Sequence, residues 1–412
     1  MVLKKLTKIA AAASVVALAL AACGVETETE HNHSHEGHAH GASSQGTETA
    51  KAMPRVAVAT ESGVSIFDEN LAEVASYELP SRPSLTLAHD DRHVVANRQH
   101  DNESSIIDAG AWKQGHGDHF HYYTGEPALF EEVVKGAKPV HVVPNAGAEM
   151  TAVFADDDGA ASLITSENVR EGELDDLPKV EANLPHHGVV IPMPDDHYLV
   201  TATADKETPL PDTIELRHGA KDVEQTYTCK RMHGEVARGG NAAFGCADSV
   251  LVIKDGEGVN IPTPELGDER VGALVANADF STLVGKAGDK LVFVKDDSTV
   301  IAGVDEGVSI SNLAIAPDGH VATLGTNGKL YVFDATGNLE HTMQVTGQWE
   351  KPEGHSGIAP AVAAGEYAAA NTVWVSEPAV DKVYMIDLFT KEIAATADVP
   401  GEPTSLVVAN VN

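Results

Sequence analysis

From Arg55 to the C-terminus one pattern keeps returning: four to six residues rich in Val, Ala and Ile, then a break of Asp, Asn or Gly. It occurs in Val56-Ala-Val-Ala-Thr60, Gly63-Val-Ser-Ile-Phe-Asp68 and Val74-Ala-Ser-Tyr77. It recurs in Met150–Ala155, Tyr198–Thr203, Val250–Lys254, Leu291–Lys295, Leu330–Asp334, Val373–Ser376 and Val383–Asp387. Short alternating runs bounded by turn residues are antiparallel strands, and no amphipathic helix of useful length interrupts them. Strand-turn units repeating every few tens of residues restrict the chain to a propeller or a solenoid. Asn312–Leu324 followed by Gly328–Asp334 supplies three strands of a four-stranded blade, and His355–Pro360, Thr372–Ser376 and Lys382–Asp387 repeat that plan. At roughly 40–50 residues per blade, about 360 residues make seven or eight blades. The expectation is an all-β, seven-bladed, WD40-like β-propeller over residues 52–412, closed by pairing of Pro403–Val411 with the strand at Val56.

The first 51 residues do not fit that pattern. Lys4, Lys5 and Lys8 precede an apolar run from Ile9 to Ala22, too short for a lasting bilayer span, so residues 1–22 read as an export signal. Leu20-Ala21-Ala22-Cys23 places small residues before a cysteine as a lipoprotein peptidase requires. Cys23 is then the lipid-bearing N-terminus, and acyl chains rather than a helix hold the protein at the extracytoplasmic face of the membrane; a plain signal peptide would leave it periplasmic. Residues 23–51 contain too little apolar surface to offset the entropy of ordering, and are expected to be disordered. Within them His31, His33, His35, His38 and His40 make five histidines in ten residues, a tract suited to loose, exchangeable metal binding.

In an exported chain the remaining cysteines, Cys229 and Cys246, are most simply a disulfide between neighbouring strands, with zinc thiolates the competing reading. A formal charge of −34 without basic runs beyond the signal excludes nucleic acid as a partner.

Chemistry concentrates in Trp112–Tyr123, where His116, Asp118, His119 and His121 fall within six residues. In an extended segment His119 and His121 share one face, and Phe120 points the other way, toward a core. Such a pair suits Zn²⁺, which takes imidazole nitrogen and completes a tetrahedron with two more ligands. Superposing blade starts finds them: His187-Gly-Val-Val-Ile-Pro192, His233-Gly-Glu-Val-Ala-Arg238 and His355-Ser-Gly-Ile-Ala-Pro360 align without gaps, and first strands line a propeller's channel. The predicted four-nitrogen site is therefore His119, His121, His187 and His233, with His100 and His355 in reserve and Asp118 as a ligand or a ring-orienting acceptor. Asn312 occupies the same slot; His141 falls two residues late and carries less weight. His89, His93, His197, His218, His320 and His341 read as solvated.

Taken together, His116-Gly-Asp-His-Phe-His121, Arg98-Gln-His-Asp101, Pro185-His-His-Gly188, Met232-His-Gly-Glu235 and the Cys229/Cys246 pair resemble the periplasmic zinc metallochaperones of the AztD type. The resemblance spans nearly the whole mature chain. It implies a tight zinc site inside the propeller, a metal-collecting lead before it, and direct hand-over of Zn²⁺ to the solute-binding protein of a zinc ABC importer. The chain is expected to be a monomer and not an enzyme. The lipobox ending at Cys23 departs from the mostly soluble members. Two rivals stand beside it: a metal-dependent propeller hydrolase or lactonase-like enzyme, recruiting Asp118 or Glu235 as base, and a surface binding propeller with incidental histidines.

Overall fold

The structure, a computed structural model, describes residues 46–410 apart from 118, 206, 208, 209, 354–356, 368 and 369. The signal, Cys23 and His31, His33, His35, His38 and His40 lie outside the described residues, as do Asp118 and His355. Among the described residues no helix is long and apolar enough to cross a membrane.

Strands dominate because the Val- and Ala-rich runs alternate against Asp, Asn and Gly turns, and among the described residues they assemble into eight four-stranded antiparallel sheets. Numbered as blades along the chain, their innermost strands are Ser405–Ala409, Ser84–Leu87, Pro139–Asn145, Val190–Met193, Glu235–Arg238, Ala273–Ala276, Ala314–Ile315 and Val362–Tyr367. Innermost strands of successive blades touch from blade 5 through blade 8 to blade 1 and on to blade 2, which makes the arrangement a ring. The fold is a β-propeller with eight blades, not the seven expected. About 45 residues per blade falls inside the range for either number, so repeat spacing alone does not separate them.

The ring closes as expected. Ser405–Ala409 lies inside Arg55–Thr60, with Val56 opposite Val408 and Val58 opposite Leu406, so both chain ends complete blade 1. Apolar side chains pack between neighbouring blades: Trp374, Val383 and Met385 of blade 8 interlock with Val56, Val58 and Phe67 of blade 1. Trp374 is fully buried, and its loss to Ala would cost about 3–5 kcal/mol.

Polar stitches fix the blades where strands are short. Asn312 donates to the Val362 carbonyl and accepts from the Val362 N–H, joining blade 7 to blade 8. Asn145 donates to the carbonyls of Pro192 and Gly239 and accepts from the Gly239 N–H, so one buried amide clamps blades 3, 4 and 5. His89 and His93, expected in solvent, are buried. His89 hydrogen-bonds the hydroxyls of Thr151 and Ser166, tying blade 2 to blade 3.

Blade 2 carries an insertion. Between its third strand, Glu103–Asp108, and its fourth, Ala128–Lys135, a hairpin of Ala111–His116 and His119–Thr124 emerges, and Thr47–Thr49 adds to it as a third strand. Trp112 anchors the hairpin, its ring stacked on Tyr123 and covered by the Arg92 guanidinium 3.9 Å away.

Candidate metal centre

Two histidine clusters form, and they divide the predicted ligand set between them. In each four-stranded blade the first and third strands run the same way. Connections 1–2 and 3–4 therefore share one end of the propeller, and residues before strand 1 or after strand 2 share the other. His187 and His233 precede the first strands of blades 4 and 5, and Asp156 follows the second strand of blade 3. The hairpin, a 3–4 connection, lies at the opposite end. His119 and His121 therefore do not meet His187 and His233, and the expected four-nitrogen site does not form.

His187 and His233 converge instead with His141. The ring centroids lie 4.9 Å apart for His141 and His187, 5.4 Å for His187 and His233, and 6.1 Å for His141 and His233. Each Nδ1 is already engaged. His141 Nδ1 donates to Glu235 Oε1 at 2.8 Å, His187 Nδ1 to Asp156 Oδ2 at 2.9 Å, and His233 Nδ1 to the Gly272 carbonyl at 2.9 Å. Those acceptors hold only acceptor oxygen, so the protons sit on Nδ1 and the lone pair of each ring is carried by Nε2, the nitrogen a metal would take. His141 Nε2 and His187 Nε2 stand 3.3 Å apart, close to the ~3.3 Å between two nitrogens on one tetrahedral zinc.

The electrostatics suit a cation. Burial disfavours charge on His141, yet the charge and hydrogen bond of Glu235 override it and raise its pKa above the usual 6.5. Burial likewise opposes ionisation of Glu235, but His141 prevails and holds its pKa below 4.5. Asp156 is also depressed against burial, by His187 and then Lys138, whose Nζ is 3.0 Å from Oδ2. Burial, opposed by the Gly272 carbonyl, lowers the pKa of His233. One oxygen on each carboxylate, Asp156 Oδ1 and Glu235 Oε2, is buried with no hydrogen-bond partner among the described residues. Two half-satisfied anions beside three imidazoles fit a divalent cation, since an uncompensated buried carboxylate is costly.

Local covalent structure fixes this arrangement. The Cys229–Cys246 disulfide joins the connection that carries His233 to the end of blade 5's second strand, as expected for the pair. His233 N–H donates to the Gly245 carbonyl and Gly245 N–H to that of Gly234. A Cβ at Gly245 would run into the carbonyls of Val271 and His233, so this close approach requires glycine.

The second cluster is His116, His119 and His121 on the hairpin, each offering a nitrogen within 4.8 Å of the others. His116 pairs directly with His119 across the strands, and His121 follows on the same face, its Nε2 3.1 Å from that of His119. Glu48 from the added strand accepts a hydrogen bond from His121 Nδ1 at 2.6 Å. Phe120 points away as expected but meets no core: it is half exposed, with Lys113 Nζ 5.5 Å from its ring. His100 is exposed in the turn Gln99–Asp101 after the second strand of blade 2, not on a channel-lining first strand.

His141, set aside by gapless alignment, was legible only through a bulge. The register of its strand shifts between Pro139 and His141, so one extra residue accounts for one of the two positions by which the histidine falls late. The signals for Glu235 and Asp156 were their positions, two residues after His233 and at the turn ending a strand.

Fold and site together define a histidine-bearing eight-bladed propeller with donors for a metal ion. No family model matches the chain. In particular, the chain is similar to the zinc chaperone AztD of Citrobacter koseri, 23% identical over 361 residues that cover 81% of this chain and 80% of the relative. A structure of apo AztD from the same organism superposes with a TM-score of 0.77 at 20% identity, covering 88% of this chain and 99% of that one. A crystal structure of Citrobacter koseri AztD gives 0.78 at 21%, with 87% and 98% covered. The dihydro-heme d1 dehydrogenase NirN shares the fold more distantly, with a TM-score of 0.56 at 12% identity over 86% of this chain and 75% of its own. The resemblance to AztD-type chaperones read from the sequence is borne out.

Proposed function

We propose that this chain is an extracytoplasmic zinc chaperone that passes Zn²⁺ to the solute-binding protein of a zinc ABC importer. The observation that carries the proposal is the axial triad: three imidazole rings brought together with each Nδ1 engaged, His141 Nε2 3.3 Å from His187 Nε2, and two buried carboxylate oxygens with no hydrogen-bond partner among the described residues. The curated relative named a zinc chaperone supports the choice of cargo. Zinc is the substrate here. His141, His187 and His233 would hold it through nitrogen, leaving a fourth position for water or for an incoming ligand of the receiving protein.

The collecting role is assigned to the histidine tract and to the exposed hairpin cluster of His116, His119 and His121. Thr47, which follows the tract in sequence, is pinned to the hairpin opposite Thr124. The reading includes a lipid on Cys23 that keeps the monomer beside its membrane partner.

The test uses the mature chain and its His187→Ala variant, with zinc affinity measured by chelator competition and transfer followed to a zinc-importer binding protein. One tight zinc in the parent, lost in the variant, and transfer faster than spontaneous release are expected. Equal affinity in both proteins, or transfer no faster than loss to a chelator, would sink the proposal.

A second reading draws on the open fourth position, which catalytic zinc also keeps. It needs a carboxylate base, yet Glu235 and Asp156 are each committed to an imidazole. Hydrolytic turnover by the zinc-loaded chain would favour it.

A further inference from the structure

The histidines read as solvated include a pair that blade 4 brings together. His197 opens the second strand, His197–Ala202, and His218 closes the third, Thr213–His218. They are directly opposite one another in the ladder. Their rings lie 5.0 Å apart and 31° from parallel. A carboxylate joins them from the fourth strand, Asp222–Thr228: Glu224 Oε2 is 3.3 Å from His197 Nε2.

A backbone irregularity delivers that carboxylate. In the ladder between the third and fourth strands, Leu216 faces Gln225 but Arg217 faces Val223, so Glu224 is the extra residue of a bulge. In a regular ladder a fourth-strand side chain meets the third strand. The bulge instead re-aims Glu224 past the third strand to a histidine on the second. Asp222 stands opposite His218 in the same ladder and supplies another carboxylate one strand away.

We propose that His197, His218 and Glu224 form a separate binding site for a divalent transition-metal cation of the Zn²⁺ or Cu²⁺ kind, with Asp222 as a further oxygen ligand. Two imidazoles with one or two carboxylates are the donor set of borderline metals; Ca²⁺ and Mg²⁺ call for oxygen throughout. The site lies at the end of the propeller that also bears the hairpin, since it is built from a strand 2 start and a strand 3 end. It is therefore on the collecting side, away from the axial triad. His218, Asp222 and Glu224 are exposed, which makes the site open and fast to exchange. It does not depend on the triad being the cargo site.

The experiment measures zinc stoichiometry of the full mature chain by equilibrium dialysis at saturating Zn²⁺, beside His218→Ala and Glu224→Gln. Both positions are exposed, so folding is not at stake. Each variant is expected to bind one zinc fewer than the parent, with the tight zinc unaffected. Anomalous scattering at the zinc edge from parent crystals should place an ion between His197 and His218. Equal stoichiometry in all three proteins, or crystals in zinc with no ion between these rings, would overturn the site.

Discussion

The axial triad and the hairpin cluster use the same donor, imidazole nitrogen, in opposite settings. His141, His187 and His233 come from three different blades, and each is oriented through Nδ1 by a carboxylate or a carbonyl. His116, His119 and His121 share one exposed hairpin, with Glu48 accepting a hydrogen bond from Nδ1 of His121. A ring of blades fixes the first set before metal arrives, so little ordering entropy opposes binding. The hairpin set is reached from solvent and can exchange ligands one at a time. The difference teaches that one donor type is presented in a preorganised, blade-spanning form at one end of the propeller and in an exposed, single-hairpin form at the other; under the proposed function these suit holding zinc and collecting it.

The most severe break in that comparison is loss of a triad ligand. His141→Ala or His187→Ala should weaken tight zinc binding by more than about a hundredfold, beyond what loss of an outer partner costs. Competition titration with a strong chelator reads this, and an unchanged curve would count against the triad. Removing an orienting charge is milder: Glu235→Gln should lose about 10–100-fold in the same titration while leaving the hairpin metal in place.

Acid should separate the two sites next. Because His141 titrates above 6.5, protons compete for the triad while pH is still falling toward that value. Zinc affinity should therefore decline from the alkaline side of pH 6.5, and calorimetry across pH 8 to 5.5 would detect it. The metal-free protein carries the opposite sign. The His141–Glu235 ion pair contributes stability fully between about pH 4.5 and 6.5, loses it as pH rises through the raised value of His141, and loses it again in acid as pH falls through the depressed value of Glu235, which thermal melts of the apo chain can follow.

Changing His116, His119 and His121 together to Ala should leave the tight zinc untouched but remove one weakly held ion and slow loading in stopped flow. Smallest of all, Glu48→Ala breaks an exposed contact worth about 0.2–1 kcal/mol. It should weaken only the hairpin metal, by roughly two- to fivefold.

Much of this molecule was legible in sequence because the strand pattern has a strict period and turn residues mark each break. The closing strand near Leu406 and the placement of His187 and His233 at blade starts follow from that regularity, and the Cys229–Cys246 bridge from an even cysteine pair in an exported chain. The eighth blade was missed because spacing varies with inserts such as the blade 2 hairpin and the short helix Ser166–Glu171 in blade 3. His141 escaped because a bulge breaks the register on which superposition depends. His119 and His121 were assigned to the axis because their spacing reports which face they share, not which end of the ring they occupy.

The innermost strand of blade 1, Ser405–Ala409, is joined to Arg55–Thr60 across almost the whole described sequence. Until that pair forms, blade 1 lacks its inner edge, blade 8 has no completed neighbour, and the ring is an open arc. Deleting Ser405–Ala409 would therefore injure a blade whose other strands lie hundreds of positions earlier, and slow, all-or-none maturation is the kinetic signature to expect from so distant a pairing.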